Sequence, residues 1–130
     1  MTQKREVYQC SVCGAIVEVI QGGAGRLHCC GQPMKRMEEN TVEASIEKHM
    51  PQVSTSGLTY RVVVGSQPHP MTADHYIQWI EMETPSGVHH TCLPPGSLPQ
   101  ALFHTHEVPI AFRAYCNLHG LWKLDYVPKI

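Results

Sequence analysis

Cys10 and Cys13 stand with two residues between them, and after fifteen more residues Cys29 and Cys30 follow as direct neighbours. Four converging thiolates in a reducing compartment suit tetrahedral coordination of zinc or iron. The Cys10-x-x-Cys13 half is a common chelate. The Cys29-Cys30 half is rarer, because adjacent residues of an extended chain point to opposite sides. Binding one ion through both must twist the backbone there and distort the tetrahedron. Three other chemistries fit these residue types: a redox dithiol, a vicinal disulfide and a structural zinc. The dithiol is the weakest, since no βαβ pattern surrounds the motif. Spacing does not decide between iron and zinc.

A second set of donors lies in three islands: Glu47-Lys48-His49-Met50-Pro51, then Pro68-His69-Pro70-Met71 leading to His75, then Cys116-Asn117-Leu118-His119-Gly120. Prolines on both sides of His69 fix φ and remove nearby donors, which suits a rigidly presented imidazole. Cys116-x-x-His119 brings a sulfur and a nitrogen onto one ion. Any one of these histidines is more often a hydrogen-bonded structural residue than a ligand. A structural zinc would close with four ligands, and a blue-copper centre wants two histidines, one cysteine and a weak axial methionine. No methionine follows His119.

The elements that must position these donors are short strands. From Thr41 onward, apolar runs at Tyr60 to Val64, Tyr76 to Met82, Val88 to Leu93, Ile110 to Tyr115 and Leu121 to Val127 alternate with Pro- and Gly-rich turns. That pattern predicts an all-β, antiparallel sandwich. In Ile110 to Tyr115, Ile110, Phe112 and Ala114 fall on the expected core face, and Cys116 continues their alternation. Tyr76 to Met82 alternates poorly and assigns no face. Residues 1–37 form a separate Cys- and Gly-rich unit with strand candidates at Val7 to Gln9 and Ile16 to Ile20. Glu38-Glu39-Asn40 is a polar joint to a second domain, 38–130. A unit this small needs a metal staple to fold.

Composition narrows the classes further. The 130 residues carry a net charge of −1 without a long run of one sign, which gives no nucleic-acid or membrane surface. No signal peptide opens the chain, and no apolar run is long enough to span a bilayer, so the expected location is the cytoplasm, where clustered cysteines are more often ligands than disulfides. Nine histidines and six cysteines direct attention to metal chemistry.

In order, and over nearly the whole chain, the islands Glu47-Lys48-His49-x-Pro51, His69-Pro70-Met71, His75-Tyr76-Ile77 and Cys116-Asn117-Leu118-His119-Gly120 resemble those of the superoxide reductase family. The N-terminal unit, with Gly31-Gln32-Pro33-Met34 after its last cysteine, resembles desulforedoxin. The combination is similar to the desulfoferrodoxins, the two-iron class. The resemblance implies an immunoglobulin-like sandwich for the second domain, a homodimer, and two mononuclear irons. One iron is held by Cys10, Cys13, Cys29 and Cys30. The other is held by His49, His69, His75 and His119 in a plane, with Cys116 on the axis and one position open. It further implies one-electron reduction of superoxide to hydrogen peroxide, with a rubredoxin-like electron donor. Glu47 is implied as a ligand to the ferric product state, and Lys48 as a residue near the open site. Backbone N–H groups of Asn117 to His119 are placed to tune the sulfur.

Two other classes stay open on sequence: a two-iron electron carrier without superoxide chemistry, and a zinc-stapled binding module. The chain departs from the family at Asp74, where many relatives carry Lys, and over Val53 to Leu58. Cys92, His89-His90 and His104-x-His106 lie outside the motifs and are expected to be structural or surface residues.

Overall fold

The computed structural model describes residues 1–42 and 48–128, and all regular structure among them is β. Two compact units divide at Glu38/Glu39.

In the first unit, Met1–Glu38, strands β1 (Val7–Gln9), β2 (Ile16–Glu18), β3 (His28–Cys29), β4 (Gln32–Pro33) and β5 (Lys35–Arg36) make a sheet of order β2-β1-β5 and a separate β3-β4 hairpin. Val7, Cys10 and Val19 are its buried apolar side chains. At about 1.5–3 kcal/mol for a fully buried aliphatic side chain, they cannot offset the entropy of ordering the unit. A polar tie supplements them. Glu6 accepts from Arg36 and from the Tyr8 hydroxyl, joining the lead-in to β1 with β5. The Arg36 guanidinium, then the Gln3 N–H and the Tyr8 hydroxyl, hold the Glu6 carboxyl below its ordinary value. Such a tie contributes above the unfolded carboxylate range and is lost as pH falls through the depressed folded value.

The second unit, Glu39–Ile130, contains β6 (Glu39–Asn40), β7 (Pro51–Ser56), β8 (Thr59–Val64), β9 (Ile77–Thr84), β10 (Gly87–Cys92), β11 (Gln100–His104), β12 (Ala111–Cys116) and β13 (Gly120–Asp125). A five-stranded sheet, β10-β9-β12-β13-β6, and a three-stranded sheet, β11-β8-β7, pack into an immunoglobulin-like sandwich. All pairs are antiparallel except β13 with β6, a short parallel bridge that the antiparallel expectation did not include. Val62, Val64, Ala101 and Phe103 from the smaller sheet meet Ile77, Ile80, Met82, Phe112, Ala114 and Cys116 from the larger. Phe112, Ala114 and Cys116 therefore take the core face as expected. Ile110 does not: β12 begins one residue later, and Ile110 is 45% exposed.

Central strand β12 is buried along its whole length. Its outer face carries Arg113, which donates to Glu81 on β9 and to Glu39 on β6. That pairing places two charges inside the sheet, and breaking such a buried pair from one side typically costs about 3–5 kcal/mol.

Strand registers decide what meets at the ends. Pro51 at the start of β7 pairs with Val64 at the end of β8, and Ile77 at the start of β9 pairs with Cys116 at the end of β12. The loops leaving these ends carry His49, His69, His75 and His119. The register of β9 on β12 shifts between Tyr115 and Cys116, a bulge at Gln78. The bulge brings Tyr76 opposite Asn117, and the Asn117 N–H donates to the Tyr76 carbonyl at 3.2 Å.

Candidate metal centres

The first centre is built by two turns. After β1, Cys10 accepts N–H bonds from Val12 and Cys13 on its sulfur, both at 3.4 Å. Those donors, Cys13 first, bring the Cys10 thiol down to about 6. Between β3 and β4 the two-residue loop is Cys30-Gly31, with φ of 54° and 74°. Positive φ at both central residues is the condition for a type I′ hairpin turn. This is the backbone twist that adjacent cysteine ligands require, and a non-glycine residue adopts it at a cost of about 1–2 kcal/mol. It brings Cys30 Sγ within 3.9 Å of Cys29 Sγ, which lies 3.6 Å from Cys13 Sγ. Sulfurs tetrahedrally disposed about 2.3 Å from one ion are about 3.8 Å apart, so the set fits a single metal. The neighbouring sulfurs of Cys10, Cys13 and Cys30 push Cys29 up to about 12. Four thiolates at this spacing need a cation among them.

The second centre lies at the shared end of the sandwich. Ligand atoms of His49, His75, Cys116 and His119 all fall within 4.8 Å of one another. His69 completes a ring of imidazoles. Centroids of successive rings are separated by 4.9 Å (His49–His69), 4.8 Å (His69–His75), 5.1 Å (His75–His119) and 4.8 Å (His119–His49), each pair edge to face. His49 Nε2 and His119 Nδ1 are 3.0 Å apart. An imidazole nitrogen sits about 2.1 Å from a first-row divalent ion, so two at right angles are separated by about 3.0 Å. Cys116 Sγ lies 3.8 Å from the same His119 nitrogen. Four imidazoles and one thiolate fit a borderline, redox-active ion such as iron.

Three of the histidines have an orienting contact here. The carbonyl of Pro70 can only accept, so the His69 Nδ1 at 2.8 Å carries the proton and Nε2 carries the lone pair. Trp122, on β13, stacks on His49 at 4.6 Å and 11°, and its Nε1–H donates to the His119 carbonyl at 3.1 Å. The Asn117 N–H goes to Tyr76, which corrects the expectation that it points at the Cys116 sulfur.

Lys48 is half-buried beside fully buried His49. Glu47 lies outside the described residues. Asp74 is exposed. Val53 to Leu58 runs along edge strand β7 into its hairpin turn and contains no donor of either set. Of the extra histidines, His90 pairs with Glu81, His104 with Thr59, and His89 packs on Phe103.

Sequence reasoning missed Gly65. Its N–H donates to the Met50 carbonyl, and a Cβ there would lie 2.6 Å from the Lys48 carbonyl oxygen and also strike that of Gln67. With φ at +87°, it fastens the Lys48–His49 segment onto the loop that carries His69. Gly65→Ala should lift that segment and cost about 1–2 kcal/mol from backbone strain alone. In a chelator challenge, metal loss from the second centre should accelerate by about tenfold or more, with the four-cysteine centre unaffected. Equal retention by parent and variant would remove this role.

Fold and donor sets together define a β-sandwich metalloprotein with two mononuclear centres of unlike ligand type. Residues 2–37 match the family model "Desulfoferrodoxin, N-terminal domain", and residues 41–125 match the model "Desulfoferrodoxin". The desulfoferrodoxin of Syntrophotalea carbinolica is 49% identical over 125 residues, 96% of this chain and 99% of that protein. A desulfoferrodoxin homolog of Archaeoglobus fulgidus is 49% identical over 95% of this chain and 98% of its own. The crystal structure of the superoxide reductase from Treponema pallidum covers 95% of this chain and all of its own, with a TM-score of 0.82 and 27% identity. This chain belongs to the desulfoferrodoxin family.

Proposed function

We propose that this protein is a superoxide reductase, converting one superoxide, one electron and two protons into one hydrogen peroxide. The observation that carries the proposal is the closed ring of four imidazoles with a buried thiolate beside it. The chain holds two mononuclear irons, one among Cys10, Cys13, Cys29 and Cys30, the other among His49, His69, His75, His119 and Cys116. His49, His69, His75, His119 and Cys116 would hold the second ion, and a ferrous ion bound there would supply the electron. The ring of imidazoles would fix the ion's position, and the soft thiolate of Cys116 would donate electron density to it, which would favour release of a peroxide product. Glu47 is proposed as a ligand to the oxidised centre.

A small rubredoxin-like protein is the proposed source of electrons, a homodimer the proposed assembly, and the cytoplasm the proposed location, since a reducing compartment keeps clustered cysteines available as metal ligands. To test the activity, the fully reduced protein is mixed with a superoxide pulse and the products are counted. One peroxide per superoxide, without dioxygen, is expected. Evolution of dioxygen, or no accelerated consumption, would overturn the assignment.

Lys48 supplies positive potential at this site. The net charge of −1 gives the anion no global attraction, and exposed Asp74 opposes it near His75. Local steering changes association rates by about 10- to 1,000-fold and reaches about 8 Å at physiological salt. Lys48→Ala should therefore slow the bimolecular step by about tenfold and flatten its ionic-strength dependence. A variant with the parent rate and the parent salt slope would make Lys48 an ordinary surface lysine.

A further inference from the structure

The loop bearing His75 is held from both ends. On one side Thr72 closes a turn on it: the His75 N–H lies 3.2 Å from both the Thr72 carbonyl and its hydroxyl, and the Thr72 N–H donates to the His75 carbonyl at 3.0 Å. On the other side stands Asn117, from the Cys116-x-x-His119 loop. Its Nδ2 donates to the Asp74 carbonyl at 3.0 Å, and its Oδ1 accepts the Tyr76 N–H at 3.0 Å. Those two groups belong to the peptides immediately before and after His75. A third bond, from the Asn117 N–H to the Tyr76 carbonyl, extends the β9–β12 ladder past the bulge.

We infer that Asn117 is a positioning residue that locks His75 to Cys116, so that the imidazole and the thiolate keep one mutual geometry. The inference rests on the reading of His75 and Cys116 as donors to the same ion. Only an amide can serve here, because one partner is a carbonyl that must receive a proton and the other an N–H that must donate one. Aspartate keeps the acceptor and loses the donor; alanine loses both. Neither Cys116, wholly buried and fixed at a strand end, nor His49 under Trp122 needs such a clamp. His75, on a loop rather than a strand, does.

The test uses the iron-loaded full-length protein, with the four-cysteine centre as an internal control on the same chain. Outer partners of metal ligands are typically worth about 10–100-fold in metal affinity. In Asn117→Ala, chelator-driven iron loss from the second centre should accelerate by about that factor, and its thiolate-to-metal absorption should shift. Loss from the first centre should stay at the parent rate. Asn117→Asp should fall between parent and alanine variant, and it preserves the test if the alanine protein does not fold. Parent-like absorption and parent-like retention in both variants would overturn the inference. Equal acceleration at both centres would do the same, since it signals general loosening. A parent protein with no thiolate-to-metal absorption from the second centre would overturn it together with the site on which it rests.

Discussion

Replacing Cys116 with serine is expected to erase the thiolate-to-metal absorption of the second centre and to lower the rate of superoxide reduction by more than about 100-fold, the upper value for losing an outer partner alone. Serine preserves size and shape in a position that has no solvent exposure, so the packing of Ile77, Ala114 and their neighbours is retained. What changes is the donor. A soft, charged sulfur becomes a hard, neutral hydroxyl, and the electron density that a thiolate would donate to a bound iron is lost. Iron retention is measured alongside the rate, because four imidazoles can still hold the ion. A Cys116→Ser protein with the parent's colour and rate would leave the sulfur with a packing role only.

Breaking the first centre should unfold one unit and spare the other. Cys13→Ser or Cys29→Ser removes a ligand from a unit whose buried apolar side chains are Val7, Cys10 and Val19. Structural metal binding of this kind is worth about 10–16 kcal/mol in small zinc peptides, far above what those side chains contribute. Amide protons of residues 1–37 should lose protection by several orders of magnitude. Those of β9 and β12 should keep theirs, because the sandwich has a core drawn from both of its sheets. Undiminished protection in the first unit would show that it folds without its staple. The second centre of either variant should react with superoxide at the parent rate, since none of its donors lies in the first unit.

Some donors stood out as local motifs, Cys10-x-x-Cys13, a histidine between two prolines and Cys116-x-x-His119, whereas His49 and His75 came into the set only through the family resemblance. Strands that carry one apolar face were legible too, as at Phe112 and Ala114. Strand β7 was not. As an edge strand, its run Gln52-Val53-Ser54-Thr55-Ser56 is mostly exposed and shows no apolar alternation. Strand β9 defied assignment for the opposite reason: Glu81, a residue that reads as solvent-facing, is buried against Arg113. Gly65, Asn117 and Trp122 escaped because their roles depend on registers and close approaches that no local pattern encodes. For Asn117 the partner lies forty-one residues away and is reached through a one-residue bulge. A tryptophan three residues past a candidate histidine ligand was the one available signal for Trp122.

An enzyme that releases hydrogen peroxide makes a reagent that attacks its own thiolates. Oxidation of cysteine to sulfenic and then sulfinic acid follows thiolate character and access. Cys116, the sulfur proposed to serve turnover, has no solvent-accessible surface; it packs in the sandwich core with its Sγ 3.8 Å from His119 Nδ1. Cys13, Cys30 and Cys92 are all exposed. Peroxide in solution can therefore reach these three sulfurs and not Cys116. Oxidation of Cys13 or Cys30 would take a ligand from the first centre, and with it the staple of a unit of thirty-eight residues, while the sulfur of the second centre has no surface open to attack from solution.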